Sequence, residues 1–157
     1  MTIAKERVID EASRYRSLSI RRILQLHTQL WTSRVSSEIS SVQYGVLVFL
    51  GELGEHESLS QRELGRRAQL DKSTLAELLK RMLAHGLVDA MRRADDRRSN
   101  SLAITAAGRE VLNALRPAAL EVNALLASGL TDDEADTLDG LLRKLLASDV
   151  AEQAALR

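Results

Sequence analysis

The sequence predicts a mainly α-helical fold with one small β-hairpin, on the strength of two patterns. Apolar residues recur at helical spacing over most of the 157 residues, which contain a single proline. After Gly86 the spacing changes: "LVDAMRR" and "SLAIT" alternate like short strands around the polar stretch "ADDRRSN". A chain of this length suits one folding unit of ordinary size. We therefore expect a single domain over residues 1–157.

Two helical regions are predicted before residue 55. Apolar side chains from Ile3 to about Trp31 fit one long helix or two joined ones, since no glycine or proline separates them. The segment "SSVQYGVLVFLGELG" begins at a serine cap and stops at Gly54. It predicts a largely buried helix from about Val42 to Leu53.

Two short helices joined by a tight turn are predicted next. Ser60 followed by Glu63 is one start signal, and Asp71 is the cap of a second helix that ends at Gly86. The turn between them covers residues 69–71. The second helix has an apolar face that we expect to be buried, made of Leu75, Leu78, Leu79 and Met82.

Helical spacing returns after the hairpin. We expect Pro117 to kink or divide the first of these helices, because proline lacks a backbone donor and clashes with the preceding turn. A last helix begins at Thr131, with Glu134 three residues on. One of its faces carries five leucines: Leu138, Leu141, Leu142, Leu145 and Leu146.

Charge is unevenly distributed although the formal net charge is zero. From Gln61 to Arg98 ten Lys and Arg residues stand against six acids, a net of +4. From Glu110 to Arg157 nine acids stand against four bases, a net of −5. This asymmetry indicates that the middle of the chain meets a polyanion while the end does something else.

Several classes of protein are disfavoured by the sequence. There are no cysteines, the three histidines lack metal-ligand spacing, and no glycine-rich phosphate loop or nucleophile elbow is found. We expect no enzyme activity, no metal and no cofactor. The longest apolar run, Val46 to Leu50, is far too short for a membrane span, and "MTIAKERVIDEASRYR" has no signal-peptide core. We expect a cytoplasmic protein without a membrane partner.

The order of elements is that of a winged helix-turn-helix, and the sequence resembles the MarR family of bacterial transcription regulators. The matching features are "D-x-S-T-L" at the start of the second short helix, "L-x-x-x-G-L-V" leading into the hairpin, "D-R-R" within it and "L-x-I-T-x-x-G" after it. "SSVQYGVLVFL" and "RRILQLHTQLW" also resemble family helices, so the similarity covers most of the chain. It implies a DNA-binding core at about residues 41–108, with helical dimerisation regions at about 1–35 and 109–157.

The resemblance implies double-stranded DNA as a partner. The second short helix would enter the major groove, where Glu77 would accept from a cytosine amino group or simply limit unspecific binding. Arg98, with Arg97 beside it at the tip of the hairpin, the wing, would enter the adjoining minor groove, while Asp96 would hold the arginine or the adjoining backbone in place. Further DNA contacts on the recognition helix are Lys72, Ser73, Thr74, Lys80 and Arg81. Possible phosphate contacts, for which a plain surface role is equally open, are Arg62, Arg66 and Arg67.

The resemblance also implies a homodimer and a small-molecule effector. Two-fold symmetry would place two recognition helices roughly 34–36 Å apart on a pseudo-palindromic operator. Effectors in the family are often aromatic anions, which need cationic donors and flat apolar walls. Candidate residues for such a site are Arg21, Arg22, His27, Trp31 and Tyr44. Core packing is an alternative role for Trp31, Tyr44 and His27.

A repressor released from DNA by its effector is therefore the predicted function. Two alternatives remain at this point. A winged helix can serve as a protein-interaction module, because a fold does not fix a function. A DNA-binding member can also be an activator or act without a ligand.

Overall fold

The computed structural model describes residues 15–54, 57–92 and 100–148. Part of the predicted first helix, residues 3–14, lies outside these ranges. The described elements are helices α1 (Arg16–Arg34) and α2 (Ser41–Gly51), strand β1 (Leu59–Ser60), helices α3 (Gln61–Ala68) and α4 (Lys72–Ala84), strands β2 (Val88–Arg92) and β3 (Asn100–Ile104), and helices α5 (Ala106–Ala127) and α6 (Asp132–Leu146).

The predicted hairpin is confirmed and gains a third strand. β2 and β3 pair antiparallel from Val88 opposite Ile104 to Arg92 opposite Asn100. β1 pairs with the other edge of β3, with Leu59 opposite Leu102, so the strand order is β1-β3-β2. The sequence did not predict β1, because two residues are too few to show strand alternation. The sheet fixes the base of the wing against the segment that enters α3.

One hydrophobic core joins α2, α3, α4, the sheet and the first half of α5. Leu47, Leu64 and Met82 lie at its centre and have no exposed surface. The predicted inner face of α4 is confirmed, since Leu75, Leu78, Leu79 and Met82 are all buried. Anchoring by this face determines which side of α4 is turned to solvent.

The predicted serine cap of α2 is confirmed, but the helix ends earlier than expected. Ser40 accepts from the Gln43 backbone N–H, and the Gln43 side chain accepts from the Ser40 N–H in return. α2 stops at Gly51, two residues before the predicted Leu53.

Pro117 was predicted to kink or divide its helix, and the division does not occur, because α5 runs without a break from Ala106 to Ala127. Proline removes one backbone hydrogen bond to the carbonyl four residues earlier, that of Asn113. Both Pro117 and Asn113 are exposed, so water can satisfy this carbonyl. Leu112 and Val122 are buried on either side of the proline and hold both halves of α5 in place.

α1 and α6 carry apolar side chains that the described part of the chain does not cover. In α1 the only buried residue is Trp31, and α6 has none. α6 begins as predicted, with a reciprocal cap between Thr131 and Glu134. Its five leucines nevertheless remain between 42% exposed, at Leu138, and 58% exposed, at Leu146.

Candidate nucleic-acid interface

The outer face of α4 is polar and exposed along the whole helix. The structure turns every predicted recognition-helix contact to solvent: Lys72, Ser73, Thr74, Glu77, Lys80 and Arg81. These side chains share one convex surface, because the leucines on the opposite side of α4 are buried in the core. The surface combines three cations with one carboxylate and two hydroxyls.

The beginning of α4 is held by Asp71, as predicted. Its Oδ1 accepts from the backbone N–H groups of Ser73 at 3.0 Å and Thr74 at 2.9 Å. The Ser73 hydroxyl donates to Oδ1 and the Thr74 hydroxyl to Oδ2, each at 2.6 Å. These hydrogen bonds, the hydroxyl bonds first, hold the pKa of the Asp71 carboxyl well below its usual range. The first turn of α4 is thus a closed hydrogen-bonded unit.

The end of α4 turns into the wing through Gly86. The Gly86 N–H donates to the Leu83 carbonyl and the Leu87 N–H to the Met82 carbonyl, both at 3.0 Å. This capping pattern needs a left-handed residue, and Gly86 has a φ of +66°. The predicted stop signal is confirmed, and it directs the chain from α4 into β2.

A junction between α4, the wing and α5 was not predicted from the sequence. The Thr105 hydroxyl donates to the Gly86 carbonyl at 2.6 Å and accepts from the Gly108 N–H at 2.9 Å. A Cβ at Gly108 would overlap the Leu87 carbonyl oxygen. The "I-T-x-x-G" pattern after the hairpin was the available signal, since it places a capping threonine and a small residue one turn apart. The junction fixes α4 relative to the wing and α5.

The arginines of α3 differ in their surroundings. Ser60 caps the helix by accepting from the Glu63 N–H. The Glu63 carboxylate binds both Arg66, at 2.7 Å, and Arg67, at 2.9 Å. Hydrogen bonds from Arg66 and then Arg67 lower the pKa of Glu63 to about 2. Arg62 is exposed on the same short helix.

The turn between α3 and α4 is the predicted one at residues 69–71. Gln69 ends α3 in the left-handed region with a φ of +53°, a conformation that most side chains avoid. The Leu70 N–H donates to the Gly65 carbonyl at 3.0 Å. Gly65 is buried, with Leu75 and Leu70 immediately around it. This close approach sets the spacing of the two helices.

The predicted wing residues Asp96, Arg97 and Arg98 lie outside the described residues. The described strands of the wing reach Arg92 on one side and Asn100 on the other.

Three of the five candidate effector residues lie together where α1 meets α2. The Trp31 ring centroid is 6.0 Å from that of His27 and 5.2 Å from that of Tyr44. Trp31 is buried, and its indole N–H donates to the Ile39 carbonyl at 2.7 Å. Tyr44 packs against the hydrophobic core. Trp31 therefore supports the fold, and its N–H is already engaged.

The two candidate arginines lie on other sides of α1. At about 100° per residue, Arg21 lies about 80° and Arg22 about 180° around the helix from Trp31. Both side chains are exposed. The structure thus brings His27, Trp31 and Tyr44 together but does not place Arg21 and Arg22 on their face.

The described residues contain neither a membrane-spanning helix nor a metal-binding cluster. Among these residues, no helix is both long and apolar enough to cross a membrane. No group of three His, Cys, Asp or Glu side chains within them is arranged to hold a metal ion.

Comparison with known proteins agrees with the observed fold. Residues 37–99 match the model of the MarR family. The chain is 29% identical to the HTH-type transcriptional repressor NicR of Pseudomonas putida, over 83% of this chain and 81% of NicR. It is 30% identical to the transcriptional regulator HosA of Escherichia coli, over 81% of this chain and 91% of HosA.

Among solved structures, the chain is similar to the PcaV transcriptional regulator of Streptomyces coelicolor in complex with its natural ligand. The TM-score is 0.81 at 32% identity, covering 88% of this chain and 96% of PcaV. The structural similarity confirms the predicted fold. The relatives are transcription regulators and not enzymes, which confirms the predicted class of protein. The chain belongs to the MarR family of winged helix-turn-helix transcriptional regulators.

Proposed function

We propose that this regulator is a homodimeric repressor that binds a pseudo-palindromic operator and leaves it when a small aromatic anion binds. The observation that carries the proposal is the outer face of α4. This face is exposed over its full length and bears polar and cationic groups, and the helix itself is capped at both ends. A single α-helix fits the major groove of B-DNA, where base edges differ in their donors and acceptors.

The side chains of α4 divide into two kinds of contact. Lys72, Lys80 and Arg81 are exposed cations suited to phosphates or to guanine. Glu77 lies between them and would accept from a cytosine amino group or limit binding to other sequences. In the wing, Arg97 and Arg98 would enter the minor groove, with Asp96 positioning them.

On α3 we assign the phosphate contact first to Arg62. Arg66 and Arg67 share the Glu63 carboxylate, so a phosphate would have to compete with an existing ion pair. The competition is possible because the guanidinium groups are exposed and each has several donors. The expected contribution of these two arginines is therefore smaller than that of Arg62.

We assign the DNA-binding core to residues 41–108 and dimerisation to residues 1–35 and 109–157. The exposed apolar faces of α1 and α6 support this division, since such extended apolar surface usually marks an interaction site. A two-fold dimer would present two copies of α4 on one side of the DNA. Its place of action would be the cytoplasm, where the operator is found.

The effector site is proposed near His27, Trp31 and Tyr44. These rings join α1, which belongs to the dimerisation region, to α2, which belongs to the core, so a ligand there would act on both. Arg21, about 80° around α1 from Trp31, is the nearer candidate carboxylate partner, whereas Arg22 lies on the opposite face of the helix. PcaV was solved with its natural ligand, and NicR is a repressor; both support a ligand-responsive repressor.

A DNase footprint on the DNA flanking the chain's own gene tests this function. We expect protection over a short inverted repeat, lost upon addition of one member of a panel of aromatic carboxylates. Affinity should fall by roughly 10³-fold or more between about 50 and 200 mM salt, because phosphate contacts release counterions. Protection that no compound removes would indicate a ligand-independent regulator. Absence of protection on any DNA would favour a protein-interaction module.

A further inference from the structure

Asp71 does more than cap α4, because it also fixes the hydroxyl groups at the start of the reading helix. Its two carboxylate oxygens accept four hydrogen bonds, two from backbone N–H groups and two from the hydroxyls of Ser73 and Thr74. The hydroxyl bonds, at 2.6 Å, have the length expected for a hydroxyl that donates to a charged carboxylate. All three residues belong to the surface that faces solvent at the N-terminus of α4.

The direction of the two hydroxyl bonds follows from the charge on Asp71. An ionised carboxylate carries no hydrogen and can only accept. Asp71 is ionised at neutral pH, because its ordinary pKa is already 3.8 and its neighbours lower it further. Ser73 and Thr74 must therefore be the donors. Each hydroxyl has one hydrogen, so each has used its whole donor capacity on Asp71.

What remains on the Ser73 and Thr74 oxygens is acceptor capacity. A phosphate group also only accepts, so these hydroxyls have no hydrogen to offer it while Asp71 holds them. In the major groove the donors are the N6 amino group of adenine and the N4 amino group of cytosine. Guanine and thymine present acceptors at the corresponding edge.

We propose that Ser73 and Thr74 are specificity-determining residues that accept a hydrogen bond from an exocyclic amino group of adenine or cytosine, and that Asp71 sets this polarity. The inference rests on the proposed function, since it requires α4 in the major groove. It assigns these hydroxyls to base reading and removes them from the phosphate contacts. Phosphate binding at this end of α4 is left to Lys72.

Operators with single amino groups removed test this assignment. The probe is the sequence that the wild-type protein selects from random duplex DNA. Purine replaces each adenine in turn, and 2-pyrimidinone replaces each cytosine, so that the two sources of the amino group are examined separately. We expect at least one position where the loss of the amino group weakens wild-type binding by about 10-fold.

Variants lacking one hydroxyl identify the partner. Ser73→Ala and Thr74→Val should bind the unmodified operator more weakly, and one of them should show no further loss with the modified base. Thr74→Ser, which keeps a hydroxyl at this position, should remain sensitive to the modified base if Thr74 is the partner. Lys72→Ala is the matched control, because it should weaken binding while keeping the full penalty for the modified base.

Folding is protected in these variants, because Asp71 keeps its backbone hydrogen bonds to residues 73 and 74. Unchanged thermal midpoints would establish this directly. The inference is overturned if both hydroxyl variants retain the full base-analogue penalty. It is also overturned if the variants lose sensitivity to methylphosphonate at one phosphate, since the hydroxyls would then donate to the backbone. A wild-type protein that selects no sequence would overturn the proposed function itself.

Discussion

Helices α4 and α6 begin with equally good local signals and yet end in opposite surroundings. Each has a side-chain cap, at Asp71 and at Thr131, and each carries a row of leucines at helical spacing. The row in α4 is buried in the core, whereas every leucine of α6 is exposed. Helix formation depends on neighbours in the sequence, but burial depends on what the fold brings to that face.

The difference separates two kinds of apolar surface in one chain. The α4 face is complete within the monomer, because α2, α3 and the sheet cover it. The α6 face has no such cover within the described residues and adds to exposed apolar residues of α1, such as Ile23 and Leu24. The leucines of α4 therefore complete a core within one chain, whereas those of α6 are available for the dimerisation proposed above.

The largest effect is expected from charge on the α6 face. If the α6 face joins two copies of the chain as proposed, Leu142→Asp with Leu145→Asp should leave the protein monomeric. Operator binding should weaken by roughly 10²-fold or more, because each complex then contains one copy of α4 instead of two. Sedimentation velocity and fluorescence anisotropy measure the two changes. Arg143→Asp, which lowers the net charge by the same amount from the other side of α6, is the control and should remain dimeric. A monomeric wild-type protein would contradict the assignment of the apolar α6 face to dimerisation.

The next effect concerns the junction between α4, the wing and α5. Gly108→Ala should lower the free energy of unfolding by about 1–3 kcal/mol, because the added methyl group overlaps the Leu87 carbonyl and the backbone must shift. Urea unfolding measures it. Gly45→Ala in α2 has nothing within 4 Å of the new methyl group and should gain about 0.5–1 kcal/mol. Equal effects at the two glycines would show that α5 does not pack against Leu87 in this way.

Thr105→Val should have a smaller effect at the same junction. It removes the α5 cap and the hydrogen bond to the Gly86 carbonyl while keeping the side-chain shape, and we expect a loss of about 1–2 kcal/mol. Thr105→Ser keeps the hydroxyl and should lose much less. If the valine and serine variants unfold at the same urea concentration, the hydroxyl does not hold α4 to α5.

The smallest effect is a pH dependence at Asp71. Its pKa is lowered in the folded chain, so its contribution is present above the unfolded value of 3.8 and is lost as the pH falls toward the folded value. Asp71→Asn keeps an acceptor for the backbone cap but cannot titrate. The thermal midpoint of the wild type should exceed that of the variant at pH 7, and the gap should narrow below about pH 4. A constant gap would mean that the carboxylate charge is not involved.

Much of the winged helix-turn-helix could be predicted from the sequence because its signals are local. Capping residues such as Ser40 and Asp71, the inner face of α4 and the stop at Gly86 are set by neighbours within a few positions. That Pro117 does not divide its helix could not be predicted locally, because Leu112 and Val122 are buried on either side of it by contacts with distant parts of the chain.

The sequence predicted that the outer side chains of α4 face solvent, but it did not predict the contacts that connect the elements of the candidate site. That Glu63 would bind Arg66 and Arg67, and that Thr105 would reach Gly86, depends on side-chain rotamers and on contacts far apart in the chain. β1 escaped prediction because only its pairing with β3 makes it a strand. The face shared by His27 and Trp31 follows from helical spacing, but the approach of Tyr44 does not.

Selection of bound sequences from random duplex DNA tests the two-part organisation most directly. A dimer that presents two copies of α4 to the DNA should enrich an inverted repeat whose half-sites are about one helical turn apart. The Leu142→Asp, Leu145→Asp variant should at most enrich a single half-site. If the wild-type protein enriches a single half-site, or no sequence at all, the proposed dimer with two DNA-binding helices is contradicted.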